Sequence, residues 1–216
     1  MKKTPSVVIL ASGSAQRWEG LEHKQLALVD GEPLLCRTLR QLADRLDVRP
    51  VVITHHPQIA LSVADQAEVL ELPPGSRRWI ADSALASRGL WGDPTLLLAG
   101  DVFWTEEAMD IACGMNSGGP LRYLITRASL GDDILGVWFR RRHRNQFATA
   151  LQHAVRHAEQ GANAKLWQSY RSLCGFPLTR HQLEGVHCVR IEDESTDFDS
   201  LGEYRAFIKQ RGSCAA

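Results

Sequence analysis

No stretch of roughly 18 consecutive apolar residues occurs in the chain, so a membrane-spanning helix is not expected. Neither sign of charge is in excess: 25 Lys and Arg stand against 25 Asp and Glu in 216 residues. Without net charge there is no bulk attraction for a polyanion, and any nucleic-acid contact has to come from a local patch. Cysteine is sparse. Cys36, Cys113, Cys174, Cys188 and Cys214 form an odd set with no CxxC spacing. That pattern speaks against a disulfide framework or a zinc site, and for a reducing cytoplasm. The opening MKKTPSVVILASGSA has two lysines but an apolar run of only about five residues. A signal peptide needs roughly 7–15, so the run reads as a first strand. What is present is 44% hydrophobic and 23% charged residues, the balance of a folded globular protein. At this length one domain is expected over residues 1–216.

The first half alternates strand and helix patterns. Residues 6–11 (SVVILA), 50–54 (PVVIT), 68–72 and 95–99 (TLLLA) are short apolar runs suited to strands, the first, second and fourth of them buried on both faces. Between them, Leu34, Leu35, Thr38, Leu39, Leu42 and Leu46 keep helical spacing after Pro33, and residues 56–65 and 77–88 also read as helices. Residues 106–115 form a further helix, with Thr105 as its N-cap. Such an order predicts an α/β fold with a mostly parallel sheet. After residue 115 the pattern changes. Residues 121–126 and 135–139 look like strands with no long helix between them, which predicts an antiparallel extension in the second half. Helices are expected over 146–157, 164–173 and 200–209, and a last strand over 185–191.

Three stretches carry candidate chemistry. The loop after the first strand reads Ala11-Ser12-Gly13-Ser14-Ala15-Gln16-Arg17, then Gly20 and Lys24. Small residues at a strand's carboxyl end let backbone N–H groups approach a phosphate, and Arg17 and Lys24 supply positive charge. Neither GxxxxGK[ST] nor GxGxxG is present. The competing reading is a surface turn with two solvated cations. In LLLAGD, Asp101 ends a buried strand at the edge where open α/β sheets bind ligands, and its carboxylate suits Mg²⁺; otherwise it caps a turn. In Asp197-Phe198-Asp199-Ser200, the two carboxylates of an extended chain point to opposite sides, so only one of them is expected to face the site.

Together these stretches resemble the nucleotidyltransferases that activate sugars and related metabolites, of the MobA and CDP-ME synthase type. LASGSAQRWEGLEHKQL followed by GEPLL is similar to that family's amino-terminal signature, LLLAGD to its metal-binding strand end, and DFDSLGEY to its late acidic motif. The resemblance implies a single Rossmann-like three-layer α/β domain, shared in outline with the GT-A glycosyltransferases. It further implies that Ala11, Ser12, Gly13 and Ser14 line a nucleotide. Arg17 is implied to hold the β- and γ-phosphates and Lys24 the α-phosphate, while Asp101 and Asp199 bind Mg²⁺ or Mn²⁺. Base recognition falls near Asp82, Ser83 and Ser87, although a plain helix face is the simpler account of that segment. This chain departs from the family pattern with Ser12 for Ala or Gly, Trp18 for Met or Phe, and His23 and Leu201 for prolines.

The activity so implied is transfer of a nucleoside monophosphate from an NTP to a phosphorylated small-molecule acceptor, a sugar phosphate in the first place, with release of pyrophosphate. Two alternatives stay open. One is a GT-A-like glycosyltransferase using a nucleotide sugar, possible on a nucleic-acid acceptor through the basic residues 140–144, though Asp101-Val102-Phe103 lacks the D-x-D pattern. The other is a noncatalytic nucleotide-binding domain. Residues 140–144 are otherwise a solvated loop, His55, His56, His153 and His157 are expected at the surface, and Trp104 either borders the acceptor or packs in the core. No membrane partner is implied.

Overall fold

The structure, a computed structural model, describes residues 4–13, 18, 23–73, 79–115, 119–128, 131–161 and 163–214. In chain order its strands are β1 (Ser6–Leu10), β2 (Leu28–Val29), β3 (Glu32–Pro33), β4 (Val51–Thr54), β5 (Glu68–Glu71), β6 (Thr95–Ala99), β7 (Val102–Phe103), β8 (Arg122–Ala128), β9 (Gly131–Phe139), β10 (Cys188–Ile191) and β11 (Thr196–Asp197). The α-helices are α1 (Leu34–Ala43), α2 (Pro57–Val63), α3 (Ile80–Ala86), α4 (Glu106–Gly114), α5 (Arg144–Ala158), α6 (Leu166–Leu173) and α7 (Leu201–Cys214).

Seven strands form one sheet in the order β10-β8-β9-β6-β1-β4-β5. Only β9 runs against its neighbours, pairing antiparallel with both β6 and β8. The expected antiparallel extension is therefore a single reversed strand, since β10 pairs parallel with β8. The apolar runs are continuous because both faces are covered. Val7, Ile9, Leu96 and Leu98 pack with residues of α1, α2 and α4, while Val8, Leu10 and Leu97 pack with residues of α3, α5 and α6. The result is the mostly parallel α/β sheet that the residue pattern predicts, in the three-layer arrangement that the resemblance implies.

Two details set the site. The ends of β1, β4, β6, β8 and β10 share one edge of the sheet, because two antiparallel pairings through β9 bring β8 back to the direction of β6. Gly100 joins the ends of β1 and β6. Its N–H donates to the Leu10 carbonyl at 2.9 Å, and a Cβ there would stand 3.0 Å from both that oxygen and the Ala11 Cβ. Any side chain here would push its neighbours aside by a few tenths of an ångström, so the close approach favours glycine before Asp101. A third, smaller core of Ala27, Val29, Leu34, Phe103 and Phe198 lies against Tyr204, Phe207 and Ile208 of α7. The Tyr204 hydroxyl donates to the Leu28 carbonyl at 2.6 Å. In this way α7 clamps the β2–β3 hairpin, and with it the turn that carries Lys24.

No described helix is long and apolar enough to cross a membrane.

Candidate active site

Lys24 opens a short 3₁₀ turn, Lys24–Leu26, directly before the clamped hairpin. Its ammonium is largely shielded, pairs with the Asp101 carboxylate, and donates to the Phe198 carbonyl at 3.4 Å. Burial by itself pulls an ammonium down. Here Asp101, Asp197 and Asp199 outweigh that pull and hold Lys24 above its ordinary value.

Both late aspartates therefore act on Lys24. The expectation that alternation turns Asp197 away does not hold. Strand β11 is only two residues long, and the chain bends after it around the buried Phe198. Two-residue pairing with β7, Asp197 opposite Val102, places Asp197 next to Asp101 in the fold. The Asp199 N–H is tied back to the Glu203 carboxylate at 2.8 Å. Asp197 is pushed up to about 7, first by burial and then by repulsion from Asp133 and Asp101. Asp133, at the start of β9, is also raised by burial, although Lys165, the Ile134 N–H and His181 work the other way. Asp133 is the acidic residue that the sequence motifs miss, whereas Asp197 lies in a motif but is expected to turn away. Asp133 sits in no motif, and only the reversed strand carries it to this edge.

Three carboxylates thus act on one lysine, and Asp133 acts in turn on Asp197. Among the described residues no three His, Cys, Asp or Glu side chains stand close enough together to hold a metal ion unaided. The donor set nevertheless fits a hard divalent cation: oxygen ligands, a carboxylate that burial and like charges disfavour as an anion, and a net negative site. Mg²⁺ commonly completes its shell with water and phosphate oxygens, so two or three carboxylates are enough.

The first loop is fixed at two points. The Thr54 hydroxyl donates to the Ala11 carbonyl at 3.1 Å and the Ser12 and Ser83 hydroxyls are 2.6 Å apart, while the Gly13 backbone acts on the His56 ring. Ser12 and Ser83 are both buried, whereas Gly13 is exposed. Ser83 thus meets the loop. Asp82 precedes Ser83 on the first turn of α3, half-buried. Ser87 does not face the site, because its hydroxyl donates to the Ala84 carbonyl and accepts from the buried Trp91 indole. Ser14 and Arg17 lie outside the described residues.

Other expectations are corrected by the packing. His55 and His56 are not surface residues. With His23 they form a half-buried stack, its ring centroids 4.0 Å and 3.9 Å apart. Trp104 is fully buried beneath α1 and α4, which leaves it in the core and away from any acceptor. Asp193 accepts from the Thr105 hydroxyl while Thr105 caps α4. The arginines of residues 140–144 follow β9, whose last residue Phe139 pairs with Thr95 at the start of β6. They therefore stand at the opposite edge of the sheet from Lys24. Arg140 pairs with Asp93 at 3.2 Å, and Arg144 donates to the Arg88 carbonyl at 2.7 Å. On the site's own edge, a cleft of about 680 Å³ is lined by Asp132, Glu184, Arg190, Ile191, Glu192 and Asp193.

A loop of small residues after β1, a lysine beside acidic strand ends, and a three-layer sheet with one reversed strand define a nucleotidyltransferase-type domain. The chain belongs to the MobA-like NTP transferase domain family, whose profile matches residues 7–172. It is similar to the 3-deoxy-manno-octulosonate cytidylyltransferase of Chlorobium limicola, 43% identical over 83 residues. That match covers 38% of this chain and 34% of the relative, so the similarity spans about a third of the relative's length. The inositol-1-phosphate CTP transferase of T. maritima has the same fold, with a TM-score of 0.66 at 12% identity over 97% of each chain. So does Rv0371C of Mycobacterium tuberculosis H37Rv, solved in complex with manganese, with a TM-score of 0.60 at 18% identity over 96% of this chain and 99% of that one.

Proposed function

We propose that residues 1–216 act as one catalytic domain that transfers a nucleoside monophosphate from an NTP to a small acceptor, releasing pyrophosphate. The observation that carries this reading is the Lys24–Asp101 pair at the carboxyl edge of β1 and β6, flanked by Asp197 and Asp199. CTP is the first nucleotide to test, because the curated relative is a cytidylyltransferase and the T. maritima protein a CTP transferase.

Ala11, Ser12 and Gly13 line the nucleotide through their backbone, held rigid by Thr54 and Ser83. Asp82 and Ser83 lie on its base side. Lys24 gives up Asp101 for the α-phosphate and stays beside it as charge accumulates in the transition state. Arg17 serves the β- and γ-phosphates. Asp101 and Asp199, with Asp197 beside them, are the residues to hold a divalent ion. When bound, Mg²⁺ or Mn²⁺ would neutralise phosphate charge. The acceptor occupies the cleft on the β8–β10 side, where Asp132, Glu184 and Glu192 can accept hydrogen bonds from the hydroxyls of a sugar phosphate or sugar acid. No protein nucleophile is needed. The arginines at the opposite edge give no support to a polymeric acceptor.

The test is a panel of the four NTPs, each with Mg²⁺ and a set of sugar phosphates, polyol phosphates and sugar acids, read as pyrophosphate. We expect acceptor-dependent pyrophosphate that disappears with chelator. Turnover that is complete in chelator, or release of a nucleoside diphosphate from a nucleotide sugar, would contradict the proposal.

A further inference from the structure

Beside the first loop lies a feature that phosphate and metal chemistry does not use. His23, His56 and His55 stack in a row. His23 is the residue before Lys24, and His56 follows β4, the strand beside β1. The row thus links the lysine turn to the start of the nucleotide loop.

The protonation of the central ring follows from its contacts. The Gly13 backbone favours an N–H on the His56 ring, yet among the described residues Nε2 is shielded from water and meets no partner. The proton therefore sits on Nδ1, and Nε2 presents a bare lone pair. Burial, followed by the charges that His23 and His55 would carry, keeps the ring neutral by pushing it down to about 4. Among the described residues Nδ1 of His55 is likewise buried without a partner. A shielded lone pair with nothing to accept costs stability, and such groups are retained where a ligand completes them.

We infer that His56 Nε2 accepts a hydrogen bond from an N–H or O–H donor on the nucleoside part of the bound nucleotide, and so helps set which nucleotide this chain selects. The inference rests on the nucleotide-transfer reading above. The nucleoside is the fitting partner because the row touches Gly13 and adjoins Lys24, while the acceptor cleft lies at the β8–β10 end of the sheet. The donor is either a base amine or a ribose hydroxyl.

The two ring nitrogens can be separated by amides. His56→Asn places an amide where Nδ1 bonds Gly13 and removes the acceptor at Nε2; His56→Gln reaches the Nε2 position. Calorimetric titration with CTP and Mg²⁺ should show about tenfold weaker binding for His56→Asn, one charge-neutral hydrogen bond's worth. His56→Gln should bind within about threefold of wild type. If 2′-deoxy-CTP abolishes the difference between wild type and His56→Asn, the donor is the ribose hydroxyl. If UTP abolishes it, the donor is the base amine. Nitrogen-15 NMR of histidine-labelled wild-type protein needs no variant: CTP should shift the His56 Nε2 resonance and leave Nδ1 protonated. Equal CTP affinity in wild type and His56→Asn, or an Nε2 resonance unmoved by bound CTP, overturns this inference alone. Failure of the wild type to bind any NTP overturns the transfer reading and this inference with it.

Discussion

Asp197 shows at the level of one side chain how the site trades stability for charge. Its carboxyl is buried and repelled by Asp133 and Asp101, and is held up at about 7. The unfolded chain ionises it near the ordinary carboxylate value, so the folded state is penalised above about pH 7 and freed of the penalty as pH falls towards 4. Asp197→Asn should therefore raise the metal-free melting temperature at pH 8, by roughly 2–4 °C for each kcal/mol in a chain of this size. The gain should vanish near pH 4, and turnover should drop tenfold or more. Calorimetry in chelator across pH checks the first part, and the pyrophosphate assay the second. His56 works with the opposite sign. It is pushed down to about 4, so the unfolded chain takes up a proton that the folded one refuses. Stability should fall as pH drops from about 6.5 towards 4, and His56→Gln should flatten that slope in urea melts.

At the level of the element, the junction of β1 and β6 is the part with least room. A methyl group on Gly100 would meet Leu10 and Ala11, the residues that lead into the nucleotide loop. Gly100→Ala should leave secondary structure intact by circular dichroism and yet lower turnover by about 10²-fold, the cost of moving positioned groups by a fraction of an ångström. A variant with wild-type turnover would show that the junction tolerates displacement. This scale also separates what the sequence makes legible from what it hides. Strands β1, β4 and β6 are readable because double-sided burial writes uninterrupted apolar runs such as SVVIL and TLLLA. Lys24 and Asp101 are readable because they stand in motifs at strand ends. Asp133 is not, because its position depends on β9 running backwards, a fact of pairing and not of local pattern. The orientation of Asp197 is not legible, since period-two alternation fails when a strand is two residues long. The histidine row was hidden because its members come from two separate segments of the chain.

Across the whole molecule, charge is divided between the two edges of the sheet. Carboxylates gather at the edge that holds Lys24, and the arginines of residues 140–144 lie at the other, where Arg140 and Arg144 bind neighbouring groups. Replacing Arg141 and Arg142 with Ser should therefore change NTP affinity by less than about threefold at physiological salt, because screening removes most of an exposed charge's reach beyond roughly 8 Å. A larger loss in a titration would mean that phosphates bind at the wrong edge. The central claim is that Lys24 holds the phosphates of a nucleotide at the carboxylate edge. Isothermal titration of CTP with Mg²⁺ into wild type and Lys24→Ala tests it most directly. The account predicts at least tenfold weaker binding for Lys24→Ala, as loss of a charge-assisted phosphate contact requires, and equal affinity of the two proteins would contradict it.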